Sequence, residues 1–522
     1  MRLVLASISA SVLLAACVTA PDSESTDLTS VDGAPYTIDF DAFVDVPAGA
    51  SDQVAKDAIH RELKSALGAL REQGIGVADR DAQRNLATMT LARTSYDVVG
   101  GAAIDRVRYH YTDTALVERS RIPRGPIDLT LLFGDYVARA KELIPICSDD
   151  QTTEPDSLWY HYQPNLAACR SAIRAEQRAI DNARAGLAAD QISNADANRR
   201  FLAARATLVA QTDAPELYPE HDRLWGFAGD PARTKIVVYS FFGVNADEAD
   251  PHDDGLVEYL RFERELRKKI PALRVTATDP QAWLLDFYVD GAKVEGVTWD
   301  DVERWVVDGA GWPASVGADA RKQQQLLAQV VANFSERWIV WSANVRATRS
   351  GSSRDMTIEI RTWHGWEDGS DDVRLHARWR YLEAFWHADV FAYTGHSHFG
   401  HGPLEPWEYA GANFPDRYQV MLINSCLSFN YYDEDFLAMH PGGSKQLDVV
   451  VNGLPAYWSG MGAATADYVA GMLSGGQSWR QVLSSMRVDL PWQAAYDPMR
   501  AVNGELDNAY SPAAGSITVA PR

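Results

Sequence analysis

Beyond residue 17 the chain has no unbroken apolar run approaching the roughly 20 residues that a membrane-spanning helix needs. The expectation is therefore a body folded outside the bilayer. Cations are also scarce: 49 Lys and Arg stand against 71 Asp and Glu, for a net charge of −22. Neutralising a phosphate backbone needs clustered Lys and Arg, so a broad nucleic-acid surface is excluded, as is electrostatic adhesion to anionic lipid. Cysteine is rare, with four in 522 residues, at positions 17, 147, 169 and 426. By contrast apolar residues make up 46 %, ample for burial, and 16 Trp and 21 Tyr accompany them. Most of these aromatics belong in cores, and some are available to line a substrate groove. Since single cores stop growing near ~250 to 300 residues, two or three domains are expected.

The start of the chain has the form of a processing segment. Arg2 supplies a small positive region, residues 3–13 an apolar stretch, and Leu14-Ala15-Ala16-Cys17 resembles a bacterial lipobox. That resemblance implies a signal peptide over 1–17, cleaved to leave a lipidated Cys17 as the first residue. Two or more acyl chains give lasting anchorage where one is reversible. Val18, in place of an Asp, implies the outer membrane of a Gram-negative cell. Residues 18–35, rich in Ser, Thr, Asp and Pro, read as a flexible tether.

An extracytoplasmic compartment is oxidising, so its cysteines are usually paired. Cys147 and Cys169 lie about twenty residues apart, and a bridge closing such a loop contributes roughly 3 kcal/mol. Their pairing leaves Cys426 as an odd thiol, which marks it as reactive.

Periodicity divides the remainder. Residues 36–135 alternate strand and helix signals and read as a small α+β domain, with period-two alternation from Tyr36 and helical spacing over 52–70. Residues 136–219 read as a helical region, with helices over 166–187 and 198–209 and the bridge at its entrance. From 220 to 522 the pattern is buried strands alternating with helices, which implies a mainly parallel α/β sheet. Its strand candidates begin at Lys235, Leu273, Arg337, Met356, Ala388 and Tyr418, and Asp290-Gly291 signals a hairpin.

Two of those strands carry the chemistry. Ala388-Asp-Val-Phe-Ala-Tyr-Thr-Gly-His396 is an apolar run ending in Gly-His, and Tyr418-Gln-Val-Met-Leu-Ile-Asn-Ser-Cys426 is a second ending in Cys. Consecutive buried strands of this kind place their carboxyl ends on one rim, where open α/β sheets hold their chemistry. A thiolate attacks carbonyls, and a neighbouring imidazole favours that form and then protonates the leaving amine. Cys426 is the candidate nucleophile and His396 the candidate base and acid. Gly395 would let the chain turn off the strand, and backbone N–H groups after His396, at Ser397, and at Cys426 would stabilise an oxyanion.

Thr394-Gly395-His396 and Asn424-Ser425-Cys426 resemble, in order and spacing, the motifs of the caspase-like cysteine peptidases, the group of caspases, metacaspases, gingipains, clostripain, separase and the bacterial CHAT domains. The resemblance covers about residues 220–500, with some forty residues around the dyad specific. It implies a three-layer αβα domain, a peptide or protein substrate, cleavage through a thioacyl intermediate and no cofactor; a need for Ca²⁺ is not readable. Ser397 departs from the family, which has Gly there, and the loop's only His-Gly is His401-Gly402. A rival base is His364, followed by Gly365.

Two further readings remain open. His396, His398 and His401 form His-x-His-x-x-His, and Gly395-His396-Ser397-His398 is similar to the closing Gly-His-x-His of calcineurin-like metallophosphoesterases. Against that, the only Asp-x-His is Asp250-Pro-His252, well past the first strand, and no Gly-Asn-His occurs. The other reading is a catalytically inactive peptidase fold that binds a partner, which Ser397 permits.

Overall fold

A computed structural model describes residues 28–78, 83–365, 371–397, 402–404, 406–409, 411–432 and 434–522, with the side chains of 83–85, 371–377 and 407 left aside. Cys17, His398 and His401 lie outside the described residues, as does the tether as far as residue 27.

The chain is a mixed α/β protein built on two sheets. The larger has ten strands, and its centre is the parallel series Ser352–Gly365, Lys235–Gly243, Val390–Thr394, Gln419–Asn424 and Leu447–Asn452. Antiparallel strands flank this series. Arg500–Asn503 and Thr29–Ser30 follow on one side, Trp338–Arg349 and Arg274–Asp279 on the other, with Ile517–Pro521 also paired to Trp338–Arg349.

Successive side chains on a strand point to opposite faces, and here both faces are buried. Val238, Val390, Ala392, Val420, Leu422 and Val450 join one core, packed with residues of the helices Asp254–Lys269, Ala320–Phe334, Met461–Ser474 and Trp479–Ser485. Phe241, Phe391, Tyr393, Met421, Ile423 and Val451 join the other, shared with Tyr381 and Phe385 of the helix Asp371–His387. Burial on both sides explains why these segments read as continuous apolar runs instead of alternating ones.

The second sheet has seven strands, with Gly33–Pro47 between Ile104–Glu118 and Phe201–Ala210. The helix Asp52–Glu72, capped by Ser51, buries Ala55, Ile59, Leu63, Ala66, Leu67 and Leu70 at helical spacing. Its residues fall in the same buried cluster as Phe241, Phe391 and Val451 of the larger sheet. The two sheets thus share a core.

Three expectations about organisation are corrected. The segment 198–209, expected as a helix, falls mostly in the strand Phe201–Ala210, paired to Gly33–Pro47 on one side and Ile127–Leu132 on the other. Its alanines favour helix, but such propensity is worth less than about 1 kcal/mol per residue, and two ladders of backbone hydrogen bonds outweigh it. The helical region of 136–219 is therefore not separate from the 36–135 domain; the helix Ala167–Ala183 and this strand belong to one N-terminal module. The tether expected through residue 35 ends earlier, because Thr29–Ser30 pairs with Arg500–Asn503 and Gly33 already begins a central strand.

Close contact between the modules rests on two glycines. A Cβ at Gly76 would run into the Gly453 carbonyl, and one at Gly453 would lie 3.3 Å from Leu116 Cδ1 and 3.2 Å from Met499 Cε. Asn430 Nδ2 donates to the Val77 carbonyl across the same seam. Gly76→Ala is expected to cost about 2 kcal/mol through overpacking. Chemical denaturation reads this, and an unchanged midpoint would show that the seam is loose.

Where the first strand joins the large sheet, Glu505 is fully buried and its Oε1 accepts from Thr29 N at 2.7 Å. Burial pushes this carboxyl from its ordinary value of 4.5 up to about 7. The folded state holds the proton more tightly than the unfolded chain, so this contribution is fully present below pH 4.5 and is lost as pH rises through about 7. Stability measured by denaturation is expected to fall by up to about 3 kcal/mol between those values. Glu505→Gln should flatten the fall, and identical profiles for the two proteins would count against it.

Candidate active site

Thr394 and Asn424 are direct partners in the parallel ladder between Val390–Thr394 and Gln419–Asn424. Each strand runs on by two residues, one to His396 and the other to Cys426. Adjacent strands lie about 4.8 Å apart, so the two residues emerge side by side on the carboxyl rim of the sheet. A polar floor supports the rim. Thr394 Oγ1 bonds Thr465 Oγ1 at 2.8 Å, Asn424 Nδ2 donates to Thr465 Oγ1 at 3.3 Å, and Asn452 Nδ2 donates to Asn424 Oδ1 at 3.2 Å and the Ser425 carbonyl at 2.9 Å. These bonds tie both strand ends to the helix Met461–Ser474 and to the next strand.

The segment after Leu447–Asn452 passes over both residues. Cys426 Sγ donates to the Ala456 carbonyl at 3.2 Å, and the Trp458 ring stands nearly perpendicular to the His396 imidazole with centroids 5.7 Å apart. His396 Nε2 bonds the Asn245 carbonyl at 3.1 Å. A carbonyl only accepts, so Nε2 carries the hydrogen and Nδ1 keeps the basic lone pair.

Asn245 is itself held by a residue that sequence reasoning missed. The buried Asp253 carboxylate accepts from Asn245 N at 2.9 and 3.1 Å, Ala246 N at 2.8 Å, Asp247 N at 3.2 Å and Gly255 N at 2.9 Å. It is also the N-cap of Asp254–Lys269. The signal was present as an Asp opening an acidic first turn, the usual mark of a helix start.

Gly395 is needed for a different reason from the expected turn. Its backbone is not in the left-handed region; a Cβ there would strike the Tyr393 hydroxyl, which donates to the His396 carbonyl at 2.8 Å. Ser397 is buried, and its carbonyl accepts from Gly402 N at 2.9 Å. A Cβ at Gly402 would strike the His396 carbonyl, so the glycine of His401-Gly402 packs directly beneath the histidine.

Cys147 and Cys169 are joined by a disulfide, and Cys426 is the free cysteine among the described residues. Burial pushes the Cys426 thiol up, while the Tyr160 hydroxyl and the Arg71 guanidinium pull it the other way. Thiol and imidazole are each hydrogen-bonded to a carbonyl, at Ala456 and Asn245, so the sulfur keeps its hydrogen in this arrangement. Attack on a carbonyl requires the thiol proton to pass to Nδ1.

His364 is not placed to serve this thiol. Its strand lies three positions from that of Cys426 in the sheet, about 14 Å across. The imidazole is buried, which depresses it to about 4, and its Nδ1 bonds Ser335 Oγ at 2.9 Å. With His398 and His401 outside the described residues, the metal reading has only His396 to offer here; no group of three His, Cys, Asp or Glu among the described residues is placed to hold a metal. His252, of the lone Asp-x-His, directs Nδ1 to the Val306 carbonyl at 3.0 Å.

Compared with known protein families, curated proteins and solved structures, the chain gave no match. The functional reading rests on the rim itself. Besides Asp253, the residues that sequence reasoning passed over are Ala456 and Trp458, whose carbonyl and ring meet Cys426 and His396. No local signal links those two to the dyad.

Proposed function

We propose that the chain is a cysteine endopeptidase of caspase-like, three-layer αβα layout over 220–522, held at the bacterial outer membrane by lipid on Cys17. The observation that carries this reading is the register of Thr394 with Asn424, which sets His396 and Cys426 on neighbouring strand ends. In the reaction the Cys426 proton passes to His396 Nδ1 and the sulfur attacks the peptide carbonyl. Collapse of the tetrahedral adduct breaks the C–N bond as the imidazolium protonates the departing amine. Water, deprotonated by the same nitrogen, then hydrolyses the thioester and the proton returns to sulfur. No cofactor enters these steps, and the substrate is a peptide or protein.

The test is labelling by a peptidyl acyloxymethyl ketone alongside hydrolysis of a peptide library, both compared with Cys426→Ala. Unchanged labelling and hydrolysis in that variant would end the proposal. Phosphodiester cleavage that requires added Mn²⁺ and persists in the variant would favour the histidine-cluster reading. The resting hydrogen bonds of both dyad members favour a second reading, an inactive fold that binds a partner. Silence in both assays together with a crosslinked partner would support it.

A further inference from the structure

We propose that the segment 454–460 is a latch closed over the dyad, with the Ala456 carbonyl withholding the Cys426 hydrogen from His396, so that the latch must lift before the thiol reacts. The inference rests on reading Cys426 as the nucleophile and His396 as its base, and it adds a regulatory step to that site.

A thiol carries one hydrogen, and that of Cys426 goes to the Ala456 carbonyl at 3.2 Å. While this bond stands, the hydrogen is not available to His396 Nδ1. Two positions on, the Trp458 ring stands nearly perpendicular to the His396 imidazole, with centroids 5.7 Å apart. One short segment therefore touches both members of the dyad.

The segment is pinned at its ends. At the near end Gly453 N and Leu454 N donate to the Met499 and Pro498 carbonyls at 3.2 and 2.9 Å, and the Leu454 carbonyl accepts from Leu427 N at 3.2 Å. The Tyr496 hydroxyl then donates to the Pro455 carbonyl at 2.5 Å. At the far end the buried Glu258 accepts through Oε2 from Gly460 N at 3.1 Å and Gly462 N at 2.9 Å, while Arg261 pairs with its Oε1. Gly460 turns the chain in the left-handed region, with φ 93°, which a side chain would strain.

Between the anchors the bonding thins out. Ala456 N and Tyr457 N have no hydrogen-bond partner among the described residues, and the Tyr457 side chain is 43 % exposed. Backbone with so few internal bonds opens locally at low cost while the rest of the fold stays intact. The contacts that lifting would break over the dyad are themselves modest, since a thiol is a weak donor. Closure therefore depends on the anchors. Tyr496 holds the latch twice, through its hydroxyl and through its ring, which packs on Tyr457 with centroids 5.4 Å apart.

The test follows alkylation of Cys426 by iodoacetamide in the full chain at pH 7, read on the Cys426 peptide by mass spectrometry. The reaction joins sulfur to carbon, releases iodide and needs no peptide hydrolysis. Tyr496→Phe keeps the ring contact and removes only the hydroxyl, so alkylation is expected to quicken about fivefold, the factor that loss of one hydrogen bond allows. Glu258→Gln turns two charge-assisted bonds into neutral ones and should also quicken it. The double variant should approach the product of the two factors, because the anchors lie apart and oppose the same opening. A Tyr496→Phe rate equal to the parent's, with near-ultraviolet dichroism unchanged, would overturn the latch whatever the peptidase assay gives. The parent alone supplies a second check in urea below its unfolding transition. Lifting a short segment exposes little surface, so the alkylation rate should hardly rise; a rise as steep as that of global unfolding would also overturn the inference. Quickened alkylation in a chain that hydrolyses no peptide would uphold the latch and remove the peptidase reading instead.

Discussion

Peptide hydrolysis by the Cys426→Ala protein is expected to fall by on the order of a thousand-fold or more, with the fold retained. The magnitude follows from what remains. Without the sulfur no thioester forms, and positioning with backbone donors alone must act on water. His396→Gln should cost a similar factor, and the double variant little more than either single one, because nucleophile and base act as a unit. The structural cost is small. Cys426 is only partly buried, and the substitution removes one sulfur whose single donated bond goes to a backbone carbonyl. Stability should change by about 1 kcal/mol or less. Hydrolysis of quenched fluorescent peptides with parallel thermal melts checks both parts. Near-parental turnover in a folded Cys426→Ala protein would mean that the rim is not the site of chemistry.

Asp253→Ala is expected to produce the largest loss of stability, about 3 to 4 kcal/mol. Its carboxylate accepts from four backbone N–H groups, at residues 245, 246, 247 and 255, and it is buried. Each donor left without a partner costs about 1–3 kcal/mol where water does not reach it, and loss of a charged N-cap adds about 1. Partial hydration of the exposed end of the loop brings the sum down. The effect also reaches the site, since the Asn245 carbonyl that receives His396 Nε2 belongs to the same turn. Asp253→Asn should lose less, because one oxygen remains to accept while the new NH₂ faces donors. Denaturation midpoints of the two variants test the ranking. Equal midpoints for Asp253→Ala and the parent would show that the turn is held by other contacts.

How far the sequence could be read depended on the range of the physics involved. Strand and helix patterns are set by neighbours within about four positions, and they were legible: the apolar runs at 235–242, 390–394 and 419–424 are central strands, and the helical spacing over 52–70 falls in the helix Asp52–Glu72. The disulfide was legible from the count of cysteines in an expected oxidising compartment. The strand Phe201–Ala210 was not, because its alanines carry no strand signature and only pairing on both sides makes it one. Thr29–Ser30 escaped for a related reason, since two residues hold no periodicity and gain their place from an edge hundreds of positions away.

The candidate site divides along the same line. By itself the sequence determined the order His396 then Cys426, each at the end of an apolar strand, and the parallel ladder turned that order into adjacency. Only the tertiary structure decided the direction of the imidazole, the carbonyl that holds the thiol and the need for glycine at 395. Those features depend on which distant segments the sheet brings to one rim, as the docking of the two modules depends on which surfaces they bury against each other. That choice is made by shared apolar area and close backbone approach at Gly76 and Gly453, and no local pattern of residues encodes it.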